Sequence, residues 1–427
     1  MGMLKTVANA WKIPEIRGKM IFTLMMLVVF RIGSNIPVPN IDRAVLAEMF
    51  TGETGLFDLF DLFSGGSFSN FTIFALSITP YITASIIIQL LTVFPYFQKL
   101  ANEGVEGRKK LAQMTRYFTV VLAVVQSIGL TVGLFRQAVI DQSIFSFVVI
   151  ILVLTAGTAF LMWLGEQINE KGIGNGISLL IFSGIVARIP SAIRSIAVSI
   201  QDGGMSIITF LILLVVGFAI IMGVIMIQEG QRRIPVQYAK RVVGRKMYGG
   251  QSTHIPMKVN QSGVIPIIFA LSLLQTPLTI TYFFPNSGFT EFVTKWLSPS
   301  GNPGDWVYAV LNILLIVFFT YFYSAISFNP TEIADNLKAN GGFIPGIRPG
   351  KATEEYLAKV MSRITIVGAI FLAAIATLPT ILSVLVPSLG NVQFGGTSLL
   401  IVVGVALETV RQLENQMMMR NYQGFLK

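Results

Sequence analysis

The side chains that could carry out acid–base or metal chemistry are scarce in this sequence. His254 is the only histidine, and the chain contains no cysteine. A zinc site draws its ligands from such residues, so one histidine without a cysteine or a carboxylate cluster is a poor candidate. His254 also lies outside every long apolar stretch, which disfavours a Ser–His pair or a His-Glu-x-x-His motif within a membrane. We therefore predict no catalytic residue, no metal site and no cofactor, and we interpret His254 as structural or solvated.

Ten long apolar stretches dominate the chain. The 427 residues are 53% hydrophobic and only 12% charged, with a mean hydropathy of +0.71, whereas soluble proteins carry about 25% charged residues. About 20 apolar residues suffice for a helix to cross a bilayer. The predicted transmembrane spans are residues 20–36, 71–94, 117–135, 144–164, 173–190, 205–227, 262–284, 306–328, 364–386 and 397–416.

Because these stretches contain few charged residues, several classes of membrane protein are disfavoured. A secondary transporter for a small solute, the first alternative, usually places acids or bases inside broken helices. Only five charged residues lie within the stretches, each towards an end of its span: Arg31, Arg188, Glu408, Arg411 and Glu414. An intramembrane enzyme, the second alternative, lacks the motifs named above, and no nucleotide-binding glycine-rich lysine motif occurs. The pattern favours a passive pathway with neutral walls that takes its energy from partners.

Positive charge occupies alternate gaps between the stretches. With a cytoplasmic N-terminus, the cytoplasmic segments hold 25 of the 31 Lys and Arg residues, and the positive-inside rule favours this orientation. The other six are Arg31, Arg43, Arg136, Arg188, Arg194 and Lys295. Ten spans then return the C-terminus to the cytoplasm. No small-residue cleavage site follows the first span, so we expect that span to be retained.

The ten spans divide into two sets of five, and an odd number in each half inverts the second half relative to the first. We predict an all-α polytopic membrane protein with an N-terminal half over residues 1–200 and a C-terminal half over residues 201–427. Two long loops, residues 228–261 and 328–363, lie on the cytoplasmic side. The first is basic, which is typical of an anchor facing anionic lipid or of a docking surface for a large partner. Both interpretations stay open.

A short segment between the first two spans cannot cross a bilayer. Residues 55–66 alternate Leu and Phe with Asp58 and Asp61, and Gly65 and Gly66 end the predicted helix. The segment either lies on the outer surface as an interfacial helix or re-enters the protein as a closing element. Non-helical backbone at membrane depth is tolerated only where protein or a cavity surrounds it.

Several sequence blocks resemble the SecY family of bacterial protein-conducting channels over essentially the full length. These blocks are residues 30–39, 73–91, 160–168, 172–178, 232–241, 251–254, 334–338 and 395–403. Any one block could match by coincidence, but all of them occur in the expected order. The resemblance implies two five-helix halves around a pathway for unfolded polypeptide, with signal peptides leaving sideways between spans two and three and spans seven and eight.

The resemblance also implies three sets of site residues. The constriction of the family falls on six isoleucines: Ile78, Ile82, Ile177, Ile181, Ile268 and Ile401. Its plug falls on about residues 57–70, including Phe57, Asp58, Leu59, Phe60, Asp61, Leu62, Phe63, Ser64, Gly65 and Gly66. The lateral gate falls on Thr83, Ile86, Gln89, Asn260 and Gln261, where a few polar contacts between helices could hold a closed seam.

The two long loops are expected, by the same resemblance, to dock the SecA motor or the ribosome. The docking residues are Arg232, Arg233, Lys240, Arg241, Arg245, Lys246 and Arg348. SecE and SecG are the expected small membrane subunits, and signal peptides, translocating polypeptides and anionic lipid are the other expected partners. A Sec-family paralogue with fewer clients is the nearest alternative. Arg188 and Arg194 are a departure from the family pattern, and the sequence offers only snorkelling to the membrane interface for them.

Overall fold

A computed structural model describes residues 3–52, 61, 64–203, 206–238, 241–243, 246–248, 252–284, 287–298, 304–385 and 396–424. The helices are α1 (Met3–Trp11), α2 (Pro14–Gly33), α3 (Arg43–Gly52), α4 (Thr79–Leu91), α5 (Pro95–Asn102), α6 (Val105–Ile128), α7 (Ile144–Lys171), α8 (Gly176–Gln201), α9 (Ile207–Glu229), α10 (Ile265–Thr281), α11 (Gly288–Trp296), α12 (Gly304–Ser327), α13 (Pro330–Ala339), α14 (Lys351–Leu385) and α15 (Gly396–Gly424). The strands are β1 (Gln231–Tyr238), β2 (Arg241–Val243), β3 (Lys246–Tyr248), β4 (Ser252–Lys258) and β5 (Gly342–Phe343).

Each of the ten predicted spans overlaps one of these helices. By length and hydropathy, six helices of the described chain could each cross a membrane, and the pair α4 and α5, bent by 100°, is a seventh candidate. The helix α10 is apolar but has only 17 residues, α2 carries charged residues near its ends, and α15 carries them from its middle onward. The polytopic helical architecture is thus confirmed, whereas the count of ten spans stays a prediction.

The second span differs from the prediction at its start. The sequence predicts helix from residue 71, but α4 begins at Thr79. Phe71 and Ser77 have φ values of 43° and 53°, and L-residues in this left-handed region cannot continue a right-handed helix. Pro80 then lies in the first turn of α4, where its missing N–H leaves no hydrogen bond unmade. Residues 65–78 therefore form mostly turns, and only the rest of the apolar stretch is helical.

One apolar cluster joins the two predicted halves. It draws side chains from α2, α4, α7 and α8 and also from α9, α10, α12, α14 and α15. Phe269 of α10 packs edge-on against Phe319 of α12, with ring centroids 5.7 Å apart. The helix α4 contacts α10 directly, so the first and second halves meet along this pair of helices.

The two long loops fold together into one small unit. The strand β1 pairs with β4 on one edge and with β5 on the other, both antiparallel, so a strand from the second loop completes a sheet begun by the first. Ile234 and Val236 of β1 and Leu357 of α14 are buried in the apolar cluster beneath the sheet. The all-α description omits this sheet, although residues 233–237 alternate polar or exposed positions with buried ones in the period of a strand.

The alternation of buried and exposed residues along β1 allows this unit to be tested. Val236 is fully buried, whereas its neighbour Gln237 is exposed. Val236→Asp places an unpaired charge in the cluster and should destabilise the unit by about 2 kcal/mol or more. Gln237→Asp should change stability by less than about 0.5 kcal/mol. Limited trypsin digestion of the purified protein should therefore cleave both loops faster in the first variant only. Equal cleavage rates in the two variants would contradict the shared core.

Candidate functional site

The structure brings the six predicted isoleucines together. They lie at or within the first two turns of four helices, α4, α8, α10 and α15. Five are buried, with at most 5% of their surface exposed, and Ile177 packs at the edge of the same apolar cluster. Two of the helices belong to each predicted half, so the cluster contains an apolar meeting point of both halves.

The start of α8 fixes two of these isoleucines. Asn175 is the N-cap, and its Oδ1 accepts hydrogen bonds from the backbone N–H groups of Ile177 (3.1 Å) and Ser178 (3.3 Å). Gly176 lies against the backbone of Gly165, where a Cβ would be 2.0 Å from the carbonyl oxygen. Asn175 has no role assigned from the sequence, and the structure shows that it positions the first turn of α8.

The face of α8 that carries Ile177 and Ile181 continues along the helix towards its C-terminal end, which is predicted to lie on the external side of the membrane. Ile177, Ile181, Gly184 and Arg188 follow the spacing i, i+4, i+7 and i+11, which keeps residues on one side of a helix. Gly65 of the predicted plug packs on this face, since a Cβ built on Gly65 would lie 2.6 Å from Gly184 Cα. Gly65 also has a φ of 64°, which favours glycine.

Four of the ten predicted plug residues are described: Asp61, Ser64, Gly65 and Gly66. Phe57, Asp58, Leu59, Phe60, Leu62 and Phe63 lie outside the described residues. Asp61 and Ser64 are buried. Downstream, Phe68 and Phe71 pack edge-on against Phe135, with ring centroids 5.7 and 4.7 Å apart. The described part of the segment thus packs within the protein, as the closing-element interpretation expects.

Two arginines contact this segment. Arg188 Nη2 lies 3.3 Å from Asp61 Oδ2, and Arg31 Nη1 donates a hydrogen bond of 3.1 Å to the carbonyl oxygen of Gly65. Snorkelling to the interface therefore does not describe Arg188, which turns towards the protein. Sequence reasoning missed this pair because nothing in the spacing of distant residues shows that an acid and a base meet. Arg194, six residues further along α8, is exposed.

The predicted lateral-gate residues lie on or beside α4 and α10. Thr83 Oγ1 donates to the carbonyl oxygen of Thr79, Gln89 Nε2 donates to Ser85 Oγ, and Asn260 Nδ2 donates to the carbonyl oxygen of Gly263. These bonds stay within each segment, so they do not form the polar seam expected from the sequence.

The rest of the gate set lies in apolar or mixed surroundings. Ile86 is buried in the apolar cluster. Asn260 and Gln261 line a polar cavity of about 260 Å³ together with Lys258 and Arg411. Burial lowers the pKa of Lys258, and the positive charge of Arg411 lowers it further.

The predicted docking residues lie on the unit formed by the two loops. Arg232 and Arg233 are exposed on β1, and Arg348 is exposed in the turn before α14, where its carbonyl oxygen accepts a hydrogen bond from Thr353 Oγ1. Arg241 and Lys246 belong to the hairpin of β2 and β3. Lys240 and Arg245 lie outside the described residues. His254 pairs with Pro235 in the sheet and is exposed.

Comparison with known proteins decides the family. The SecY family model matches residues 72–410. This chain belongs to the SecY family. A protein translocase subunit SecY of Halalkalibacterium halodurans is 49% identical over 435 residues, and that of Bacillus subtilis is 48% identical over 436 residues. Both alignments cover 100% of each chain.

Solved structures of SecY-type channels share the fold. One described as "The structure of a protein conducting channel" has a TM-score of 0.69 at 21% identity and covers 96% of this chain and 97% of its own. Sec61 in the canine ribosome–channel complex has a TM-score of 0.63 at 19% identity, with the same coverage. Membership of the SecY family confirms the interpretation as a polytopic channel subunit and not an enzyme.

The close approach of Gly65 to α8 can be tested by labelling a single introduced cysteine, because the chain contains no native cysteine. In a Ser67→Cys background, the only thiol is at a fully buried position of the segment. Gly65→Ala should displace the segment, because its Cβ would overlap Gly184, and overpacking costs about 1–3 kcal/mol. Labelling by a membrane-impermeant maleimide should become about tenfold faster.

Gly66→Ala is the matched control. Gly66 also has a positive φ, but a Cβ there would meet only Asn70 Nδ2 at 3.9 Å. Both variants place alanine at a positive φ, and only Gly65→Ala adds the steric overlap. If both variants label at the same rate, the contact with Gly184 does not hold the segment.

Proposed function

We propose that this chain is the central subunit of a protein-conducting channel in the bacterial cytoplasmic membrane. It passes unfolded secretory polypeptides across the membrane and releases signal peptides and membrane segments sideways into lipid. The observation that carries this proposal is the meeting of six isoleucines from four helices and both halves in one apolar cluster. A ring of these side chains resists wetting when closed and offers no charge that would trap a particular client side chain.

The segment of about residues 57–70 is proposed to be the plug of this channel. Its described part packs on the same face of α8 that carries Ile177 and Ile181. A related solved structure, with a TM-score of 0.65, is described as showing that "The plug domain of the SecY protein stablizes the closed state of the translocation channel and maintains a membrane seal". The segment would then close the pathway sterically, and the isoleucines would in addition exclude water from it.

Lateral release is proposed to occur between α4 and α10. These helices contact each other, and Ile86 on α4 and Phe269 on α10 are buried in the shared cluster. In a bilayer, apolar side chains gain little by preferring each other to lipid tails. An apolar signal peptide could therefore replace one helix as the neighbour of the other at low cost. Thr83 and Gln89 lie on α4, and Asn260 and Gln261 precede α10 in the chain.

The termini are proposed to lie on the cytoplasmic side. Thr6 Oγ1 of α1 donates a hydrogen bond of 3.0 Å to Glu414 Oε1 of α15, and Ala10 and Leu413 share an apolar cluster. The two ends of the described chain therefore lie on the same side. This supports an even number of spans, and the charge distribution supports the cytoplasm as that side.

The unit formed by the two loops is proposed to dock the SecA motor or a ribosome, with SecE and SecG as the small membrane subunits. Its exposed Arg232, Arg233 and Arg348 are positioned on one folded body and not on two independent loops. A basic surface attracts acidic protein, RNA and anionic lipid alike. Solved structures of the same fold described as ribosome complexes include the canine Sec61 and the yeast Ssh1 complexes.

Site-specific photo-crosslinking tests the pathway. A photoreactive residue replaces Ile82, which is 5% exposed in the cluster, in a channel reconstituted with SecE, SecG and SecA and loaded with an arrested secretory precursor. We expect ATP-dependent crosslinks to the precursor from position 82, because the polypeptide must displace the ring to pass. The matched control is Ile193 of α8, which is 62% exposed, and we expect no crosslink there. Engaged precursor without a crosslink at position 82 would remove the pore assignment.

A further inference from the structure

One ion pair joins the proposed plug to the wall of the proposed pathway. Arg188 Nη2 of α8 lies 3.3 Å from Asp61 Oδ2. Asp61 is 5% exposed, and the side chain of Arg188 is 24% exposed. By comparison, both partners of the pair Lys110–Glu103 are more than half exposed and 3.9 Å apart. Because water and salt screen buried charges less, the attraction between Asp61 and Arg188 is screened less than that between Lys110 and Glu103.

Asp61 uses its two carboxylate oxygens for different contacts. Oδ1 accepts hydrogen bonds of 3.1 Å from Ser64 Oγ and from the backbone N–H of Ser69. Ser64 Oγ in turn accepts from the backbone N–H of Phe68. The carboxylate is thus oriented by its own segment through Oδ1, which leaves Oδ2 directed at Arg188.

Arg188 belongs to the same face of α8 as Ile177, Ile181 and Gly184. The ion pair therefore holds the segment against that face beyond Gly184, and Gly65 contacts Gly184 itself. The polar contact and the backbone contact lie one helical turn apart on one surface.

We infer that Asp61 and Arg188 form an ionic latch that holds the plug against α8 and sets how often the resting channel conducts ions. The inference rests on the proposed sealing role of residues 57–70. Both residues are positioning residues, since neither needs to touch a client for the latch to work. Loss of Arg188 leaves the charge of the buried Asp61 uncompensated, and loss of Asp61 removes the carboxylate that faces the partly exposed Arg188.

Precursor-free ion conductance measures the latch. The channel is reconstituted with SecE and SecG in planar bilayers, and the mean conductance is recorded without SecA or precursor. Asp61→Asn, which keeps an acceptor for Ser64 and Ser69, and Arg188→Gln should each raise the conductance about tenfold. Arg188→Lys keeps the charge and should stay within about threefold of the parent. Arg194→Gln removes the same charge from an exposed position of the same helix and should leave the conductance unchanged.

The double variant Asp61→Asn with Arg188→Gln tests the pairing itself. If the two residues act through each other, its conductance should not exceed that of the larger single variant. Multiplicative increases, or no increase in either single variant, would overturn the latch. Deletion of residues 57–70 separates this failure from failure of the seal: a large leak after the deletion keeps the plug, whereas an unchanged conductance removes both.

The conductance measurement requires assembly with SecE, so a variant that does not assemble is tested by a second readout. The rate of maleimide labelling at Ser67→Cys follows the position of the segment in membranes from expressing cells, without purification. Faster labelling in Arg188→Gln than in Arg194→Gln supports the latch, and equal rates overturn it.

Discussion

The weak preference of apolar helices for each other in a bilayer is the constraint on which the rest of this structure depends. Lipid tails are as apolar as the side chains between α4 and α10, so little free energy holds these helices together. The polar groups beside the contact form their hydrogen bonds within their own segments, as Thr83 does with Thr79 and Gln89 with Ser85. Parting the helices would therefore leave these two hydrogen bonds intact, which suits the proposed opening of this seam.

The closed state then has to be stabilised elsewhere. In the proposed channel, water would meet the isoleucine cluster from both sides, and there the hydrophobic effect would act as it does in a soluble core. The segment around Asp61 adds three specific contacts. The Asp61 carboxylate pairs with Arg188, the carbonyl oxygen of Gly65 accepts a hydrogen bond from Arg31, and Gly65 packs against Gly184. The proposed seam is apolar, whereas the proposed closing segment is held by specific polar contacts, so different residues would meet the two requirements.

The sequence was sufficient for the features that depend on composition and on local pattern. Apolar length predicted where the helices lie, and motif order identified the family, and with it the six isoleucines that the structure gathers into one cluster. The start of α4 was wrong because Phe71 and Ser77, neither of them glycine, adopt a left-handed conformation imposed by their surroundings. The pairing of Asp61 with Arg188, and of β1 with β5, joins residues far apart in the chain, and no local spacing reports such contacts.

The contact between the two ends of the chain has a mechanical consequence. The halves are connected covalently where α8 passes into α9, at the side predicted to be external, and α1 packs against α15 at the opposite side. If the predicted halves move as two bodies, attachment at these two separated points favours rotation about the line that joins them. In the proposed orientation that line would cross the membrane, and rotation about it would separate α4 from α10.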